Sequence, residues 1–187
     1  TDLTGKASVP PKWTFGTWIS RITYFSQKQV MKVAEKLREM RFPADVIHID
    51  TGWFNTDWLC DWRFNEERFP DPEGMFKETA KMGFKISLWQ LPYVMDDTEL
   101  YKEAKRKGVL AKNNGPFLFL FRYPAHPIDF SKPEAVEWYQ EQLKRLLEMG
   151  ASAIKADFGE GIEPTMQFAR YNGRKIHNVY PLLYNKA

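Results

Sequence analysis

Short apolar runs alternate along this chain with segments whose apolar residues recur every three or four positions. The stretch Trp13 to Ser20, rich in aromatic and β-branched residues, predicts a first strand. Ser26 with Gln29 forms a capping box, and Val30, Val33, Leu37 and Met40 follow at helical spacing, predicting an amphipathic helix over residues 27–40. Asp45 to Trp53 reads as a second strand ending in an acid and a glycine. An aromatic loop follows. Asp71 then caps a helix with Pro72 at its first position, running to Met82 and stopping at Gly83. Phe84 to Tyr93 predicts a third strand closed by Pro92. Asp96 or Asp97 opens a helix that Gly108 ends. Asn113-Asn114-Gly115 between apolar runs predicts a β-hairpin over Val109 to Phe121. Ser131 with Glu134 is a second capping box, opening a helix striped by Val136, Tyr139, Leu143 and Leu146 and ended by Gly150. Ser152 to Phe158 predicts the fourth strand. A last helix runs from about Lys175, disturbed by Pro181.

Apolar strands alternating with capped helices imply an α/β fold with a parallel sheet and right-handed crossovers. The strand ends carry no Gly-x-Gly-x-x-Gly or Gly-Lys-Ser/Thr phosphate motif, which argues against a dinucleotide or P-loop fold. About four βα units make the N-terminal half of a (β/α)8 TIM barrel, with the hairpin as an insertion. Residues 1–12, polar and carrying Pro10-Pro11, form a lead-in linker, and residues 13–187 a partial barrel domain. The start at Thr1 and the stop after four units lead us to expect a chain cut or processed from a longer one.

Composition narrows the function classes. A net charge of +3 without a basic run leaves no case for nucleic acid. No apolar run approaches the ~20 residues of a bilayer span. The single Cys60 excludes an internal disulfide and leaves the compartment open. Aromatic content of 16% is high enough for sugar stacking or for a bulky core.

In a barrel of this type, chemistry sits at the carboxyl ends of strands. Asp50, Trp89 and Asp157 lie at such ends. Lys155 shares a strand face with Asp157, and its ammonium lowers the carboxyl pKa and keeps it ionised. Asp50 can accept two hydrogen bonds from sugar hydroxyls, and Trp89 can stack on a pyranose ring. The plainer readings stand beside these: Asp157 as a turn or cap residue, Lys155–Asp157 as a barrel ion pair, Trp89 as core, Glu160 as structural, His48 as a satisfied polar core residue. His126 and His177 form no metal spacing with each other or with Cys60, and no cofactor motif is present. A Gly-x-Ser-x-Gly elbow is also missing.

The segment Lys155-Ala156-Asp157-Phe158-Gly159-Glu160 resembles the nucleophile signature of glycoside hydrolase family 31, the retaining α-glycosidases. His48-Ile49-Asp50-Thr51-Gly52-Trp53, Phe69 to Met75, Leu88 to Tyr93, Asp129 to Pro133 with Trp138-Tyr139, and His177-Asn178 with Tyr184-Asn185 are similar to further family segments in order and spacing. Together they cover residues 10–187 and come nearest the α-xylosidase-like branch. The resemblance implies that Asp157 attacks the anomeric carbon. It implies that Lys155 and Asp50 hold sugar hydroxyls, and that Trp89 and Phe158 shape the pocket. The partner expected is an α-linked oligosaccharide or glycoside, a terminal α-xyloside or α-glucoside. The small Thr51 and Gly52 suggest room for the CH2OH group that distinguishes glucose from xylose. A retaining enzyme also needs an acid/base carboxyl about 5–5.5 Å from the nucleophile. In the family this lies in a later segment resembling Trp-Gly-Gly-Asp, which is expected beyond this sequence. Half a barrel leaves two open sheet edges, so the remainder of a barrel or a second copy of the chain is expected against them. The competing expectation is a non-catalytic half-barrel that binds sugar weakly.

Overall fold

The computed structural model describes residues 6–96, 98–113, 118–120 and 123–187. A 3-10 turn (Lys12–Phe15) leads into β1 (Trp18–Ile19), α1 (Gln27–Glu39) and β2 (Val46–Ile49). A second 3-10 turn (Thr51–Trp53) begins the aromatic loop, followed by α2 (Pro72–Lys81), β3 (Lys85–Gln90), β4 (Tyr93–Met95) and α3 (Glu99–Lys107). Next come β5 (Lys112–Asn113), β6 (Leu118–Leu120), β7 (Tyr123–Pro127) and α4 (Pro133–Met149). The chain continues with β8 (Ala153–Ala156), β9 (Met166–Gln167), α5 (Gly173–Ile176) and α6 (Tyr180–Lys186).

Strands β1, β2, β3 and β8 form one parallel sheet in that order, the expected four-stranded α/β unit of a TIM barrel. The sheet is open. β2 and β3 are buried, whereas β1 and β8 stand at its edges and are partly exposed. Ile47, Ile49, Ile86 and Leu88 are buried in one core with Val30 and Ala34 of α1 and Met75 and Phe76 of α2. This follows from the period-2 and period-3.6 apolar patterns meeting face to face. Arg38 ties the layers together. Its guanidinium covers the Phe84 ring at 3.6 Å and donates to the carbonyls of Met82 (2.7 Å) and Ala44 (2.8 Å).

Local signals set most helix ends. Ser26 Oγ accepts from Gln29 N–H at 3.3 Å, although Gln29 Oε1 returns to Phe25 N–H and not to the cap. Asp71 accepts from Gly74 N–H at 2.9 Å. Gly150 ends α4 at φ 126°, and a Cβ there would lie 2.9 Å from Phe76 Cβ, so both backbone and packing call for glycine.

Several expectations need correction. The first strand is only Trp18–Ile19, because Lys12–Phe15 coil into a 3-10 turn. α3 is capped by Thr98, whose Oγ1 accepts from Tyr101 N–H. Asp96 is instead paired with His126, and Asp97 lies outside the described residues. Ser131 does not cap α4: its hydroxyl donates to Asp129 at 2.5 Å, and Lys132 occupies the cap position. The last helix is two short ones, with Pro181 in the first turn of the second. The hairpin is displaced. Asn114 and Gly115 lie outside the described residues, and the flanking strands take separate partners, β5 pairing with β9 and β6 with β7. β7 also pairs with β4, so an antiparallel sheet β4-β7-β6 grows from the end of the third barrel strand.

Candidate functional site

Parallel register brings the strand ends together. Ile49 pairs with Leu88, and Trp89 with Lys155. Asp50, Trp89 and Lys155 therefore form a row across β2, β3 and β8, with Asp157 one step beyond the row. Asp157 backbone N–H still bonds Gln90 O at 3.1 Å, so the ladder holds the residue in place.

The Asp157 carboxylate receives three donors. Trp89 Nε1–H reaches Oδ2 at 2.8 Å, Lys155 Nζ reaches the same oxygen at 3.2 Å, and Phe158 N–H reaches Oδ1 at 3.0 Å. Burial pushes its pKa up, but these donors outweigh burial and hold it below the ordinary 3.8. Asp50 is more enclosed, its side chain 17% exposed against 39% for Asp157. Burial again raises its pKa; the His48 hydrogen bond, the Lys155 ammonium and the Thr51 N–H bring it below 3.8. Lys155 Nζ lies 3.4 Å from Asp50 Oδ2, so one ammonium serves both carboxylates. His48 bridges Asp50 Oδ2 and Ser87 Oγ, each at 3.0 Å. With the Ser87 hydroxyl donating to Nδ1, the ring donates to Asp50 from Nε2.

Trp89 is 1% exposed, enclosed by Phe54, Trp58 and Phe158. A stacking platform needs an open ring face. Trp89 has none, and its indole instead orients Asp157. Phe158 is half-buried, with its ring edge-on to Trp89 at 6.2 Å and its backbone at φ 61°. Thr51 and Gly52 are both buried, and neighbouring side chains fill the space beside them. Thr51 Oγ1 donates to Asp57, and a Cβ on Gly52 would meet Thr23 Oγ1 at 2.7 Å and Phe25 at 3.0 Å.

The nucleophile-like loop is held by groups that sequence alone did not single out. Tyr93 hydroxyl oxygen accepts from Gly159 N–H (3.1 Å) and Gly161 N–H (2.9 Å). Burial pushes the Tyr93 pKa up to about 12, so it remains a neutral phenol. Tyr184 donates to Asp157 O at 3.3 Å and accepts from Gln90 Nε2 at 2.6 Å. Tyr93, next to the strand-closing Pro92, carried a positional signal; Tyr184 carried none beyond the family resemblance. Glu160 and Glu163 are exposed. Among the described residues, no three His, Cys, Asp or Glu side chains gather into a metal-binding group.

Comparison with known proteins gives a consistent result. The profile of the glycosyl hydrolases family 31 TIM-barrel domain matches residues 7–187. An alpha-xylosidase, XylQ, of Lactiplantibacillus pentosus is 40% identical over 194 aligned residues, covering 100% of this chain and 26% of that protein. A GH31 dextranase of Flavobacterium johnsoniae, solved in complex with glucose, superposes with a TM-score of 0.88 at 28% identity, covering 98% of this chain and 24% of that one. A GH31 alpha-xylosidase from a soil metagenome, solved in complex with xylose, gives 0.88 at 27% identity, covering 98% and 28%. The chain thus spans about a quarter of the length of the relatives it matches. With its profile matched over almost every residue and its parallel sheet superposing on solved members, the chain belongs to glycosyl hydrolases family 31, within the TIM-barrel domain.

Proposed function

We propose that the chain is the nucleophile-bearing part of a retaining, exo-acting α-glycosidase that hydrolyses terminal α-xylosides or α-glucosides. One observation carries the reading. Asp157 stands at the end of a parallel strand, part-exposed, and three donors keep it ionised. In the first step an Asp157 oxygen forms a bond to the anomeric carbon as the bond to the leaving oxygen breaks, and the leaving oxygen takes a proton from a general acid. In the second, water displaces the carboxylate and returns that proton. Lys155 and Asp50 hold hydroxyls of the sugar ring, and Phe158 bounds the pocket.

Asp50 is unsuited to be the acid. A general acid must be protonated near neutral pH, and Asp50 is held below 3.8 by three partners. The reading therefore assigns the acid/base role to a carboxyl other than Asp50. It also assigns the open edges β1 and β8 to the remainder of the barrel or to a second copy of the chain. Trp18, Ile22 and Phe25, 41%, 90% and 45% exposed, support this assignment near the β1 edge.

The test is mass spectrometry of the full enzyme and of this chain after incubation with a 5-fluoro-α-xylosyl fluoride. A glycosyl ester on Asp157 of the enzyme is expected. Labelling of another carboxylate, or none, would overturn the assignment. Labelling of the enzyme and not of the isolated chain would assign the chain by itself to the inert half-barrel. Rates on nitrophenyl α-xyloside and α-glucoside would then decide the sugar.

A further inference from the structure

Trp58 lies in the aromatic loop after β2, and the function proposed above gives it no task. Its backbone sits at φ 70°, a region that bulky side chains avoid. Such a conformation persists only where the surroundings fix it, and it clusters where a side chain must be aimed. The surroundings here do fix it. Asp57, the preceding residue, accepts from Thr51 Oγ1 at 2.5 Å. Leu59 N–H closes a turn on Thr56 O at 3.0 Å, directly around Trp58. Arg68 donates to the carbonyls of Gly52 (2.8 Å) and Phe54 (2.5 Å), holding the start of the loop.

The loop directs the indole to the nucleophile-like site. The Trp58 ring stands edge-on to Trp89 at 5.6 Å and 81°, and Trp89 gives its N–H to Asp157. Phe158 stands edge-on to the same indole at 6.2 Å and 90°, also from a left-handed backbone. Trp89 is fully covered, while Trp58 and Phe158 are each only half-buried. Of the aromatic rings grouped around Trp89 and its Asp157 bond, Trp58 and Phe158 keep some exposed surface and Trp89 keeps almost none.

We propose that Trp58 is a sugar-contacting residue, whose indole face packs on the apolar C–H face of the pyranose ring held at Asp157. The inference rests on the glycosidase reading. Lys155 and Asp50 supply the polar half of recognition and fix hydroxyls. Trp58 supplies the apolar half, which requires a wide, rigid ring with few rotatable bonds.

The variants to compare in the full enzyme are Trp58→Gly and Trp58→Phe. Glycine adopts φ 70° without strain, so Trp58→Gly removes the ring without a backbone cost. Labelling of Asp157 by the fluoroxyloside is measured against reagent concentration, with thermal unfolding alongside. With the parent labelled at Asp157, the expected result for Trp58→Gly is a half-saturating concentration raised about tenfold with the limiting rate changed far less. Trp58→Phe should recover most of the loss, and xylose protection against labelling should weaken in parallel. A half-saturating concentration within twofold of the parent would overturn the role of Trp58 and leave Asp157 as nucleophile. A loss of limiting rate that follows unfolding temperature in both variants would also overturn it, reducing Trp58 to packing. Absence of parent labelling at Asp157 would remove the glycosidase reading and this inference together.

Discussion

Trp89 Nε1 donates to Asp157 Oδ2 across 2.8 Å, joining two barrel strands 68 residues apart in sequence. The bond gives a buried indole a polar partner and gives a carboxylate a fixed orientation. Trp89→Phe keeps an aromatic ring and removes the donor. A hydrogen bond to a charged group is worth about 1.5–3 kcal/mol, or roughly 10–100-fold in rate. The rate of Asp157 labelling in Trp89→Phe is expected to fall within that range, and an unchanged rate would refute the orienting role.

Lys155 is shared by two carboxylates. Lys155→Met removes the cation from both, so both carboxyl pKa values rise. On the proposed glycosidase reading, the acid limb of the kcat/KM profile of the full enzyme should move to higher pH, with KM rising if Lys155 holds a sugar hydroxyl. A limb that stays in place would show that hydrogen bonds alone keep Asp157 ionised.

Asp50 and Asp61 make opposite contributions to pH dependence. Asp50 has a folded pKa below its ordinary 3.8, so its stabilisation is present above about pH 4. It is lost as pH falls through the lowered value. Asp61 is buried and its pKa is raised, despite hydrogen bonds from Asn55 Nδ2 and Arg63 N–H. Its contribution is greatest at low pH and declines as pH rises through the raised value. Thermal unfolding followed from pH 7 to pH 3 should therefore show a shallower acid decline in Asp50→Asn. Asp61→Asn should gain relative to the parent at pH 7 and lose that gain toward pH 3.

Tyr93→Phe deletes the shared acceptor of Gly159 N–H and Gly161 N–H. Leaving a buried donor without a partner costs about 1–3 kcal/mol. A lower unfolding temperature is expected, together with faster amide exchange confined to residues 159–161. Uniform exchange across the sheet would assign Tyr93 to general packing.

Helix limits were legible because their causes are local: Ser26, Asp71, Gly108 and Gly150 act within one turn. Lys155 and Asp157 were legible as neighbours because strand alternation places them on one face, and Asp50 because it ends the second strand; the register that joins them was not. The antiparallel sheet was not, since β7 pairs with β4 across about thirty residues and the Asn-Gly turn signal pointed to a nearer partner. Burial of Trp89 was also hidden, because Phe54, Trp58 and Phe158 reach it from two other segments. The small size of Gly52 answers a packing need, because Thr23 and Phe25 lie where its Cβ would stand.

Tyr93 belongs to two structures at once. Its backbone opens β4, opposite Pro127 of β7, and its hydroxyl holds the glycines that follow Asp157. The rim sheet and the carboxylate loop are thus mechanically coupled through one side chain. An insertion or substitution that tilts the rim would move the anchor of the loop while leaving Asp50, Lys155 and Asp157 unchanged in sequence. A change confined to the rim is therefore a route for shifting the Asp157 loop from a distance.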